Sequence, residues 1–114
     1  MIVLVCGSRD WTDREAVNAA LDRYHQPWLK IIHGNAPGAD SLAAEWAFRR
    51  AIPCTPFPAD WATHGKAAGP RRNVQMLDEG PALVIAFQRN GSRGTAHTIR
   101  EARRRGIPVE VHSC

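Results

Sequence analysis

The chain opens on Met1-Ile-Val-Leu-Val-Cys6, a continuous apolar run too short for a helix and stopped at once by Gly7-Ser8-Arg9. A run with no polar residue to turn toward water belongs to a strand covered on both faces, and such strands build parallel sheets. Trp28 to His33, stopped at Gly34, and Ala82 to Phe87, followed by a loop from Gln88 to Gly94, repeat the pattern. Ile107 to Val111 supplies a last strand. Pro53 to Phe57 supplies a weak one, which its two prolines confine to an edge.

Segments of helical period lie between these runs. Thr12-Asp-Arg-Glu15 has capping-box spacing and predicts a helix to about Tyr24, with Ala16, Val17, Ala20, Leu21 and Tyr24 on one face. A second helix begins near Gly38 or Asp40, turns Leu42, Ala43, Trp46 and Ala47 inward, and ends near Ala51. A third starts at Pro70 and ends at Asp78-Glu79-Gly80, and a fourth runs from about Thr95 to Arg105, with Gly106 as its stop. Residues 58–69 show no period and are expected to form a long loop. Five strands alternating with four helices imply right-handed crossovers. The predicted class is therefore α/β: a Rossmann-like, doubly wound five-stranded parallel sheet of order 3-2-1-4-5, with the first strand central.

The 114 residues fit one domain, residues 1–114, with no room for a second core. So short a chain buries a modest share of its surface, and a homodimer or higher homo-oligomer is expected to cover the rest. The apolar runs fall far below the ~20 residues that span a bilayer, and no secretory leader pattern opens the sequence. A cytoplasmic protein without membrane contact is expected. Cys6, Cys54 and Cys114 are odd in number and widely spaced, which argues against a disulfide framework and a structural zinc site. No metal and no resident cofactor is expected, and Mg²⁺ only in the company of a polyphosphate ligand.

In a doubly wound sheet, ligands bind beyond the carboxyl ends of the strands. The loops there are Gly7-Ser8-Arg9-Asp10-Trp11, Gly34 to Asp40, and Asn90-Gly91-Ser92-Arg93-Gly94-Thr95. Glycines admit an anion close to backbone N–H groups, and the helix N-termini that follow carry partial positive charge, so these loops suit phosphate. Gly94 is expected to combine close backbone approach with a positive φ. The absence of G-x-G-x-x-G after the first strand, and of a Walker-type P-loop, argues against the common dinucleotide and NTP-hydrolase readings. Lys66, Arg71 and Arg72 flank the predicted helix start at Pro70, and Arg72, beside Asn73, is the better phosphate ligand. Several residues read two ways. Trp61 and Trp11 stack on a base or anchor the core, Asp60 meets a ribose hydroxyl or caps a turn, and Asp40 faces the ligand or caps the second helix. His33 reads as a near-core histidine, whereas His64 and His97 are open to test.

Taken together, Gly7-Ser8-Arg9-Asp10-Trp11, His33-Gly34 with Gly38-Ala39-Asp40, Pro58-Ala59-Asp60-Trp61, His64 to Pro70 with Arg72-Asn73, and Ser92 with Gly94-Thr95-Ala96 resemble the YspA-like branch of the SLOG superfamily. The resemblance covers nearly the whole chain and implies a Rossmann-like domain with a nucleotide-related ligand. That superfamily includes phosphoribohydrolases of the LOG type, the DNA-processing protein DprA and sensors of nucleotide-derived signals. The phosphoribohydrolases carry a signature similar to Pro-Gly-Gly-x-Gly-Thr-x-x-Glu. Here Gly91, Gly94 and Thr95 match it, and Thr98 stands where the Glu would be. A hydroxyl cannot replace that carboxylate as a base near neutral pH.

The leading expectation is thus a non-catalytic binding module for a nucleotide-derived, phosphate-bearing small molecule. Its candidate ligand residues are Gly7, Ser8, Arg9, Trp11, Gly34, Gly38, Asp40, Asp60, Trp61, Lys66, Arg72, Asn73, Gly91, Ser92, Gly94 and Thr95. A nucleotide N-glycosidic hydrolase is the first alternative. A single-stranded nucleic-acid binder ranks lower, because the net charge of +4 concentrates in Arg100 and Arg103 to Arg105, where cations complement a helix C-terminus.

Overall fold

A computed structural model describes residues 1–113, and Cys114 lies outside the described residues. Strand β1 (Ile2–Gly7) occupies the middle of a five-stranded parallel sheet, with β2 (Lys30–His33) and β3 (Cys54–Pro56) on one side and β4 (Leu83–Gln88) and β5 (Val109–Ser113) on the other. The order β3-β2-β1-β4-β5 is the one expected. Leu4 sits opposite both Ile32 and Val84, so the continuous apolar run of β1 is paired on both edges and covered on both faces.

The strand period of two divides that run between two cores. Val3 and Val5 face helices α1 (Arg14–Asp22) and α2 (Ala39–Arg49), together with Leu21, Trp46 and Phe87. Leu4 and Cys6 face α4 (Ala68–Asp78) and α5 (Arg93–Arg104), together with Met76, Leu77 and Ile99. Burial of each such aliphatic side chain contributes about 1.5–3 kcal/mol, so the central strand holds the two layers together. The chain proceeds outward from β1 through β2 to β3, then returns by α4 to the far side of β1. The loops after β1 and β4 therefore diverge, and a crevice opens between them.

Several boundaries differ from expectation, four of them for an identifiable local reason. Asp13, not Thr12, caps α1: its Oδ1 accepts from the Ala16 N–H at 3.0 Å, and a carboxylate also complements the positive end of the helix dipole. The supposed loop over residues 58–69 contains a short helix, α3 (Trp61–His64), and a 3₁₀ turn (Gly65–Ala67), which lead directly into α4. One helical turn is too short for an apolar period to register. Strand β2 starts at Lys30, leaving Trp28 exposed. Strand β5 starts at Val109 because Pro108 has no N–H for the ladder, although its carbonyl accepts from Val84 at 3.0 Å. No helix among the described residues is long and apolar enough to cross a membrane.

Candidate functional site

The crevice widens into a cavity of about 520 Å³ over the carboxyl ends of β1 and β2, walled by α4 and by the start of α5. Cys6 and Gly7 form its floor. A Cβ on Gly7 would stand 2.5 Å from Ala39 Cβ and 2.7 Å from the Phe87 carbonyl oxygen, so glycine lets α2 and β4 close against the end of β1. A second recess of about 290 Å³ adjoins it and shares Arg9, Gly34, Trp61 and Arg72.

Asp40, in the first turn of α2, lines the cavity and is buried. Its Oδ2 accepts from the Gly34 N–H at 2.9 Å and the Ala36 N–H at 3.3 Å, which folds the β2–α2 loop around the carboxylate. Oδ1 has no hydrogen-bond partner, the one buried side-chain oxygen or nitrogen so placed among the described residues. Burial pushes the carboxyl up to about 6, against the downward pull of the Ala36 N–H, Arg72, the Gly34 N–H and Arg9. It is ionised at neutral pH in surroundings that disfavour ionisation.

Arg72, Asn73 and His97 form a polar chain from α4 to α5. Arg72 Nη1 donates to the Gly34 carbonyl and, at 3.3 Å, to that of Phe57. Its Nε donates to Asn73 Oδ1 at 3.0 Å. The guanidinium lies where a side chain on residue 34 would project: a Gly34 Cβ would stand 2.5 Å from Nη1. Because a guanidinium only donates, Asn73 must turn its oxygen toward Arg72 and its amide N–H groups the other way. Those reach the Gly94 carbonyl at 3.4 Å and His97 Nδ1 at 3.2 Å. His97 Nδ1 therefore accepts, and the proton of neutral His97 sits on Nε2.

At the far wall, Asn90 and Gly91 adopt positive φ of 54° and 62° and turn the chain into α5. Ser92 is the N-cap, but its side chain caps nothing; its Oγ accepts from Thr95 Oγ1 at 3.2 Å. The first-turn N–H groups are thus left without a capping side chain beside the cavity, at the positive end of a helix of 12 residues. Arg93 adds a cation at that positive end, an arrangement that a bound anion offsets. Thr98 Oγ1 donates back to the Gly94 carbonyl at 3.2 Å.

The family model described as YspA, cpYpsA-related SLOG family matches residues 1–64. The chain is also 44% identical over 115 residues to "Gene 61 protein" of Mycobacterium phage D29, an alignment covering 94% of this chain and 92% of that protein. The chain belongs to the SLOG family. The family match spans β1 through α3, and the phage relative extends the similarity over α4 and α5.

Within this SLOG domain, the sequence-predicted residues separate into two groups. Gly7, Arg9, Gly34 and Asp40 reach the cavity from the sheet edge and its loops, and Trp61, Lys66, Arg72 and Asn73 reach it from the α3–α4 side. Ser92, Gly94 and Thr95 reach it from α5. Five others do not line it. Ser8 is buried and ties two loops together, its Oγ donating to the Arg89 carbonyl at 2.9 Å and accepting from the Arg89 N–H at 2.7 Å. Trp11 is a core residue, 4% exposed and packed on Phe87 at 5.4 Å between ring centroids, which removes it as a base-stacking candidate. Gly38 shapes the β2–α2 turn at φ 80°. Asp60 caps α3, its Oδ1 accepting from the Thr63 N–H at 3.2 Å, and Gly91 makes the turn before α5. The positive φ expected at Gly94 falls instead at Asn90 and Gly91, because Gly94 already lies in the helix. Arg93 and Arg100 were not singled out as ligands, although with His97 they follow an i, i+4, i+7 spacing that puts them on one helix face.

Proposed function

We propose that this SLOG domain binds a nucleotide-derived, phosphate-bearing small molecule and holds it without cleaving it. The observation that carries the reading is the start of α5: its first-turn residues line the cavity with N–H groups that no side chain caps, and the position of the hydrolases' carboxylate is a threonine tied to its own helix backbone. The phosphate rests on the first turn of α5 beside Arg93, and the half-exposed Trp61 offers a face to the base. Lys66 and Arg9 supply charge at the rim, and Mg²⁺ joins only with a polyphosphate.

A hydrolytic reading draws support from one feature, the Asp40 carboxyl raised to about 6 in the same cavity, a range suited to acid–base work. Calorimetry with nucleoside monophosphates, paired with chromatography for released base, separates the two. The expected outcome is saturable binding with no free base. Release of base at enzymatic rates, lost in Asp40→Ala, would overturn the non-catalytic reading. Arg72→Ala should weaken binding by about 1.5–3 kcal/mol, with circular dichroism to confirm folding, since Arg72 also holds the Gly34 and Phe57 carbonyls.

A further inference from the structure

We infer that Asp40 Oδ1 accepts a hydrogen bond from a neutral hydroxyl of the bound molecule, so that the site selects a phosphorylated sugar rather than phosphate alone. The inference rests on the binding reading above and adds the second anchor of the ligand. A buried polar atom without a partner is rare in a folded protein and calls for an explanation, which a ligand donor at the same cavity supplies. Here the orphan belongs to a residue that lines the cavity, and its sister oxygen is already held by two backbone N–H groups, so the carboxylate is fixed in orientation; Oδ1 itself has almost no accessible surface, and a ligand hydroxyl reaches it only as the cavity wall gives.

The chemistry of the partner follows from its surroundings. An ionised carboxylate only accepts, so the ligand must donate. Arg72 cannot easily turn to serve Oδ1, because Nη1 and Nε already donate to two carbonyls and to Asn73. Arg72 and Arg9 both act on Asp40 through their charge, and the same field repels an ammonium donor. A neutral donor remains, and with the base assigned to Trp61 across the cavity, that donor is a hydroxyl of the sugar. The free first turn of α5 borders the same cavity and accommodates the anionic end, so one molecule carrying phosphate and hydroxyl meets both anchors. His97, with its proton on Nε2, adds a donor for a ligand oxygen on the α5 side.

The test uses calorimetry on the full chain with four probes: adenosine 5′-monophosphate, its 2′-deoxy and 3′-deoxy analogues, and inorganic phosphate. Wild type should bind one deoxy analogue at least about tenfold more weakly than adenosine 5′-monophosphate. Asp40→Asn keeps an acceptor for the loop N–H groups, and Asp40→Ala removes the side chain altogether. In each variant the preference for the hydroxylated ligand should disappear, while inorganic phosphate, which brings no sugar hydroxyl and is repelled by the carboxylate, binds no more weakly. If adenosine 5′-monophosphate binds but both variants retain wild-type discrimination, or wild type shows none, the inference fails and the binding function stands. If wild type takes up none of the nucleotides, both fail together.

Discussion

Asp40 carries its charge where the fold disfavours one, and stability should record that. Its carboxyl is raised from 3.8 to about 6, so between those values the folded chain holds a proton that the unfolded chain has released. Stability therefore falls as pH rises through that window, and a deficit on the order of 3 kcal/mol persists above it. Asp40→Asn removes the titration while keeping an acceptor for the Gly34 and Ala36 N–H groups. Denaturant melts of both proteins from pH 4 to 8 should show the variant gaining on wild type as pH rises and exceeding it at pH 7.5. Glu110, where burial pushes up but bonds from Tyr24 and His112 and the nearby Arg23 pull down further, and Asp60, lowered by its bonds to Thr63, contribute in the opposite sense but equally to both proteins, so they cancel in the difference. A variant no more stable than wild type at pH 7.5 would contradict the account. Under the proposed reading, that lost stability is the counterpart of the ligand contact at Asp40.

The elements divide by what their sequences reveal. The strands are legible because a continuous apolar run has no alternative to burial on both faces, and once alternation is recognised handedness restricts the sheet to a few doubly wound orders, 3-2-1-4-5 among them. The turn at Trp61–His64 is not, because four residues carry no period. Nor can sequence separate Trp11 from Trp61: both stand beside an aspartate near a helix start, and only packing sends one against Phe87 and leaves the other over Gly69. The loop that wraps Asp40 was legible as glycine-rich, but its hydrogen bonds to Gly34 and Ala36, and the orphaned Oδ1, exist only after β2 and α2 are brought together. Gly38 of the β2–α2 loop and Gly94 of α5 should respond differently. A Cβ on Gly38 would collide with the Ser8 and Arg9 carbonyls at a φ of 80°, so Gly38→Ala should destabilise the fold by about 1–3 kcal/mol. A Cβ on Gly94 meets no heavy atom within 4 Å, so Gly94→Val should melt close to wild type yet lose phosphate affinity, because the new side chain projects beside the free N–H groups. Thermal melts and calorimetry on both variants check the contrast; equal loss of stability in the two would refute it.

Across the whole molecule, the arginines of α5 and its C-cap fall into two groups at opposite ends of the helix's reach. Arg93 and Arg100 border the cavity, with Arg9 and Lys66 opposite. Arg103 and Arg104 occupy the last turn and Arg105 the C-cap, about 18 Å along the axis from the helix start. Arg104 pairs with Glu101 at 2.7 Å and Arg105 with Asp78 at 2.8 Å, and the negative end of the dipole favours all three cations. This far group therefore serves the helix and lies away from the cavity. Replacing Arg103, Arg104 and Arg105 together by Gln should leave nucleotide affinity within about twofold and lower stability by roughly 1 kcal/mol, the scale of exposed ion pairs and a lost dipole contact. Replacing Arg9 and Lys66 by Gln should instead weaken nucleotide binding and flatten its dependence on salt, since those charges lie at the cavity. Single-stranded oligonucleotides should bind both the parent and the triple variant weakly, with affinity falling uniformly as salt rises, because a cluster at one helix end offers no continuous track for a backbone. Fluorescence anisotropy with oligonucleotides of increasing length, at salt from about 50 to 200 mM, measures this directly. Sub-micromolar, length-dependent binding that persists near 150 mM salt and is lost in the triple variant would move the function of α5 to its far end and make this SLOG domain a nucleic-acid binder.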